Sequence, residues 1–167
     1  MSAIIEINHT YNVAREIVFK AFTQAEHLRN WWGPKGWEFN VSTFDFSQGG
    51  VFRYSQKSPD GDIMWVKFIY DEISVPEKFV YTQFFSDEDG NVVRAPFDNS
   101  WPLKVQNTFT FIERDGKTTV TMNETPISAT EEELKTFVES QKMVQEGFSG
   151  TFNQLEDYLS KESIKQN

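Results

Sequence analysis

Four carboxylates lie on segments with strand character, Asp45, Glu72, Glu113 and Glu124, and these side chains have the means for general acid or base work. Such work needs a carboxyl held in an apolar pocket with its pKa raised. On alternating segments polar positions face water, so all four are expected as solvated, outward residues. The two histidines, His9 and His27, fall on different elements with no carboxylate at ligand spacing on a helix face, so no metal site is expected. The absence of cysteine removes thiolate nucleophiles and zinc-thiolate sites. Gly147-Phe148-Ser149-Gly150 falls short of a nucleophile elbow, because Thr151 stands where the pattern needs glycine and the serine lies within a helical pattern. Gly49-Gly50 lacks the Gly-Lys-Ser/Thr continuation of a phosphate-binding loop. No cofactor is expected.

Aromatic side chains stand out more than ionisable ones. They make up 16% of the chain, with 16 Phe and 5 Trp, and aromatics in such excess fill a thick core or line a pocket. The stretch TQAEHLRNWWGP sets Trp31 and Trp32 at the exit of a short helical turn closed by Gly33-Pro34. Together with Trp37, Phe68, Trp101, Phe109, Phe148 and Phe152 they are the candidate wall or mouth of a ligand cavity. Gln83 and Asn107 would place polar groups among these aromatics, as pockets that orient a ligand do. A buried amide bonded to a neighbouring strand or a water accounts for either residue equally well.

The elements that must position these residues follow from periodicity. Ile5 and Ile7 alternate with polar neighbours in a first strand, and Asn12 can cap a first helix with Ile17, Val18, Ala21, Phe22 and Ala25 on one face. Thr23 and Glu26 have capping-box spacing, which predicts a second short helix from Thr23. From Trp37 the period becomes two, predicting strands over 38–46, 51–57, 63–73, 78–86, 103–113 and 117–125. Turn signals such as Asp115-Gly116 separate them and favour an antiparallel meander. Residues 91–102, with two prolines and the isolated aromatics Phe97 and Trp101, read as a loop longer than a hairpin needs.

Thr130 and Glu133 form a capping box that starts a helix running to about Lys161, with an apolar stripe from Leu134 to Leu159. If continuous it is about 45 Å long at 1.5 Å per residue. Gly147 and Gly150 interrupt the stripe, each at up to about 1 kcal/mol relative to alanine. A bend, a close backbone approach or room for a ligand would explain them, and close packing is the expectation.

At 167 residues the chain is expected to form one domain, 1–167. A net charge of −9 argues against nucleic acid and anionic membrane surfaces as partners. No apolar run approaches a membrane span and the N-terminus lacks a secretory pattern, so no membrane insertion and a cytoplasmic location are expected. Nothing in the sequence sets an oligomeric state.

The stretch VFKAFTQAEHLRNWWGP, Asp45 with Gly49-Gly50, Ser58-Pro59-Asp60-Gly61, Trp101-Pro102-Leu103, and Thr130 to Leu159 with its GFSGTFNQLEDYL ending resemble the START-like SRPBCC superfamily, in the branch named for activators of the heat-shock protein 90 ATPase. The resemblance covers nearly the whole chain. It implies an α+β helix-grip fold, a seven-stranded antiparallel sheet wrapped around a long C-terminal helix with two short helices after the first strand. Family members often carry Arg-Pro where this chain has Ser47-Gln48, and Trp where it has Phe148.

Three functions follow as expectations. The leading one is non-catalytic binding of a small hydrophobic, aromatic or lipid-like molecule between sheet and long helix. The resemblance also implies a chaperone partner whose ATPase the chain would stimulate, or an enzyme like the superfamily's cyclases and aromatases.

Overall fold

A computed structural model describes residues 3–161. The chain runs β1 (Ile5–Tyr11), α1 (Arg15–Thr23), α2 (Ala25–Leu28), β2 (Glu38–Phe44), β3 (Val51–Lys57), β4 (Ile63–Ser74), β5 (Lys78–Ser86), β6 (Val92–Val93), β7 (Val105–Arg114), β8 (Lys117–Pro126), α3 (Glu131–Glu139) and α4 (Gln141–Lys161). Seven strands form one antiparallel sheet in the order β1-β8-β7-β5-β4-β3-β2, and the two-residue β6 pairs with the end of β5. The strands follow the alternation closely. The β7–β8 hairpin turns at Asp115 and Gly116, with φ of 55° and 78°, the two successive positive values a tight primed turn requires.

One face of the sheet is aromatic and covered by α1 and α4. Val66, Phe68 and Tyr70 on β4 point inward with Phe109 and Phe111 on β7, all buried. Phe22 of α1 brings its ring centroid within 4.7 Å of Trp31, 5.2 Å of Phe111 and 5.4 Å of Phe109. Phe152, Leu155 and Leu159 seal the core from α4. Polar bonds fix the helix on the sheet: Tyr11 donates its hydroxyl to the Phe152 carbonyl at 3.1 Å, and His9 pairs with Glu156 at 2.9 Å. The ring of His27, on α2, bonds the Tyr158 hydroxyl at 2.6 Å.

Helix boundaries depart from expectation in three places. Asn12 does not cap α1. That helix begins at Arg15, whose backbone N–H donates to the Glu113 carboxylate at 2.7 Å, so the β7 end supplies the anion that the helix terminus favours. Thr23 does not start α2 either: its hydroxyl donates back to the Phe19 carbonyl, and α2 starts one residue after an uncapped Gln24.

The long helix is two helices. Thr130 and Glu133 do form the capping box of α3, but α3 ends at Glu139 with Ser140 as its C-cap, at φ −89° and ψ −1°, before α4 begins at Gln141. Gly147 and Gly150 lie within α4 without interrupting it, and a Cβ built on either meets nothing within 4 Å. Close packing therefore does not account for these glycines.

Candidate functional site

Between the first half of α4 and the inner face of β3, β4, β5 and β8, a cleft of about 340 Å³ opens. Trp32, Tyr54, Phe85, Trp101 and Phe148 give it aromatic walls, and Gly147 leaves its helical side open. Phe97 and Met143 stand at the cleft, 53% and 57% exposed.

Each wall is held by identifiable bonds. The turn after α2 is clamped to α4, since Gln154 donates its amide to the carbonyls of Gly33 at 2.7 Å and Trp31 at 3.2 Å. Gly33 has φ of 94°, a left-handed conformation that favours glycine, and a Cβ there would displace the Gln56 side-chain amide. The clamp aims Trp32 at the sheet, where its indole N–H donates to the Tyr54 hydroxyl at 3.0 Å. Opposite, the 94–102 loop is tied to α3: Arg94 pairs with Glu133, and Ser100 donates to Glu132 at 2.7 Å. The Arg94 guanidinium and the Thr130 N–H hold the Glu133 carboxyl below its usual range. Trp101 is thereby packed on Phe137, with ring centroids 5.5 Å apart.

A polar cluster lies behind the cleft, and of its members Glu124 alone reaches the wall. Strand register sets Tyr81, Asn107 and Glu124 side by side across β5, β7 and β8, and all three are buried. Among the described residues the Tyr81 hydroxyl, both Asn107 amide atoms and Glu124 Oε1 have no aligned hydrogen-bond partner. Burial pushes the Glu124 carboxyl up to about 7, and the adjacent Asn107 amide partly opposes that rise. Burial likewise raises Tyr81, and the charge of Glu124 adds to the effect.

Glu124 overturns the expectation that all four strand carboxylates face water. Asp45, Glu72 and Glu113 are exposed. Glu124 is 3% exposed, fronts the cleft and is the only one of the four to do so. Its sequence signal was parity: Val120 and Met122 are inward residues of β8, and Glu124 continues their face.

The structure brings four of the ten candidate residues to the cleft: Trp32, Gln83, Trp101 and Phe148. Asn107 stands behind them, beside Glu124. Trp31, Phe68, Phe109 and Phe152 are buried in the core, where Trp31 donates its indole N–H to the Ala21 carbonyl and Phe68 stacks on Tyr81 at 3.8 Å. Trp37 is half-buried and stands apart from the cleft.

A sheet that grips a C-terminal helix, with two short helices after its first strand, defines the START-like helix-grip class. The chain belongs to the Activator of Hsp90 ATPase homolog 1-like protein family, whose pattern matches residues 12–160. No functionally curated protein matches it. Among solved structures it is similar to protein Ms6760 from Mycobacterium smegmatis, at 25% identity and a TM-score of 0.78, covering 96% of this chain and 92% of that one. A Staphylococcus epidermidis protein shares 26% identity at a TM-score of 0.76, over 99% and 91% of the two chains. An Arthrobacter aurescens protein shares the fold at 22% identity and a TM-score of 0.80, over 96% and 88%. Among the described residues no helix is long and apolar enough to cross a membrane.

Proposed function

We propose that the protein binds a small hydrophobic, aromatic molecule in the cleft between the sheet and α4. The observation that carries this reading is an aromatic cleft of about 340 Å³ that reaches the buried Glu124 carboxyl, whose Oε1 has no aligned hydrogen-bond partner. Small-molecule sites occupy about 300–1,000 Å³ and combine apolar walls with a few convergent polar groups. A volume at the lower end suits about two or three fused rings better than a full-length lipid. Trp32, Trp101 and Phe148 contribute the wall, and Gln83 a polar contact in addition to Glu124.

Denaturing extraction of purified protein followed by mass spectrometry, with native mass spectrometry on the same batch, tests the reading. A stoichiometric aromatic compound is expected. Gly147→Leu, which adds bulk at a position that lines the cleft and meets nothing within 4 Å, is expected to lose that compound while remaining folded. An empty wild-type protein that also binds no aromatic probe would remove the reading.

Glu124 favours a second reading, acid–base chemistry on the bound molecule, since a carboxyl near 7 can both hold and release a proton at neutral pH. Turnover that disappears in Glu124→Gln while binding persists would favour it over simple carriage.

A further inference from the structure

The cleft is lopsided in charge. Among the described residues Glu124 is the one carboxylate on its wall, and neither lysine nor arginine lines it. Its neighbours across the sheet are Ile5 on β1 and Asn107 on β7, with Tyr81 on β5 one strand further. From α4 the cleft receives Val144, Gly147, Phe148 and Thr151. None of these carries a positive charge, so an ionised Glu124 has no counter-ion among the residues that face it. A buried carboxylate in that position either keeps its proton or waits for a cation from outside.

The remaining wall suits a cation. Trp32, Tyr54, Phe85, Trp101 and Phe148 turn aromatic side chains to the space in front of Glu124, and the faces of such rings attract ammonium groups. An organic anion would meet a like charge and no donor of positive charge. A neutral ring system would gain the apolar contacts alone and leave Glu124 unpaired.

Resting on the binding function proposed above, we infer that the ligand is a hydrophobic organic amine, bound as its ammonium with the rings against the aromatic wall and the N–H groups on Glu124. Protonation of Glu124 competes with the ammonium. Affinity therefore rises with pH until the carboxyl is fully ionised, a transition centred near its value of about 7 in the empty protein.

The test is isothermal titration calorimetry of the full chain with three probes of one shape: 1-naphthylmethylamine, 1-naphthylmethanol and 1-naphthoate. At pH 8 the amine is expected to bind at least tenfold tighter than the alcohol, and the naphthoate more weakly than either. Glu124→Gln is expected to bring the amine down to the level of the alcohol without weakening the alcohol. Should that variant not fold, the wild type decides: the advantage of amine over alcohol is expected to grow at least tenfold from pH 5.5 to 8. Equal binding of amine and alcohol, or an advantage that survives in folded Glu124→Gln, overturns the amine assignment but leaves hydrophobic binding intact. Failure of all three probes to bind overturns both.

Discussion

Glu124 is where burial and ionisation conflict most directly in this protein. Its carboxyl titrates at about 7 in the folded chain against 4.5 when free, so the native state holds the proton more tightly than the unfolded state does. The associated stability is fully present below about pH 4.5 and is lost as pH rises through about 7. The shift corresponds to about 3 kcal/mol over that interval. Denaturant unfolding of wild type and Glu124→Gln at pH 4 and pH 8 isolates it, with the variant expected to gain on the wild type by that amount at the higher pH. Equal differences at the two pH values would mean that Glu124 is solvated. The same residue marks the limit of reading single positions from sequence. Phe109 and Phe111 declare their own face because they are large and apolar, whereas a glutamate on an alternating strand reads as outward unless parity with Val120 and Met122 is given more weight than polarity. Trp31 and Trp32 show the complementary limit: adjacent and identical in type, one is a core residue and the other a cleft wall, and only tertiary placement separates them.

At the scale of elements, legibility followed local chemistry. Strands were readable because alternation and positive-φ turn residues are short-range signals, and the α3 start was readable because Thr130 and Glu133 satisfy each other. The start of α1 was not, because its capping carboxylate comes from Glu113, 98 residues away along the chain. The division at Ser140 was not readable, because Phe137 and Val144 lie seven residues apart, two turns at 3.6 residues per turn, and the apolar stripe runs through it. The glycines of α4 carry a separate consequence. A methyl group at position 150 meets no atom within 4 Å, so Gly150→Ala is expected to raise stability by up to about 1 kcal/mol through helix propensity alone. Thermal or denaturant unfolding measures this directly, and a loss of stability would show that the backbone there is not relaxed helix.

Across the whole molecule, α4 performs two jobs along its length. Its second half is core, with Phe152, Leu155 and Leu159 fully buried and Gln154 clamping the tryptophan turn. Its first half fronts the cleft through Met143, Val144, Gly147 and Phe148, none of them fully buried. A ligand that enters between α4 and the sheet therefore has no need to lift the whole helix, and lifting it would expose the aromatic core. Opening is expected to stay local to 141–148, bounded on one side by the break at Ser140 and on the other by Thr151, whose hydroxyl is 3.4 Å from the Gly33 carbonyl. Native-state hydrogen exchange separates these halves, because local openings of low free energy expose amides that global unfolding alone would otherwise release. Amides of 144–148 are expected to exchange at least tenfold faster than those of 152–159, and a bound aromatic amine is expected to slow the first group while leaving the second unchanged. Uniform protection along α4 would instead make the helix a single rigid wall, and a ligand would then have to enter past Phe97 and the 94–102 loop.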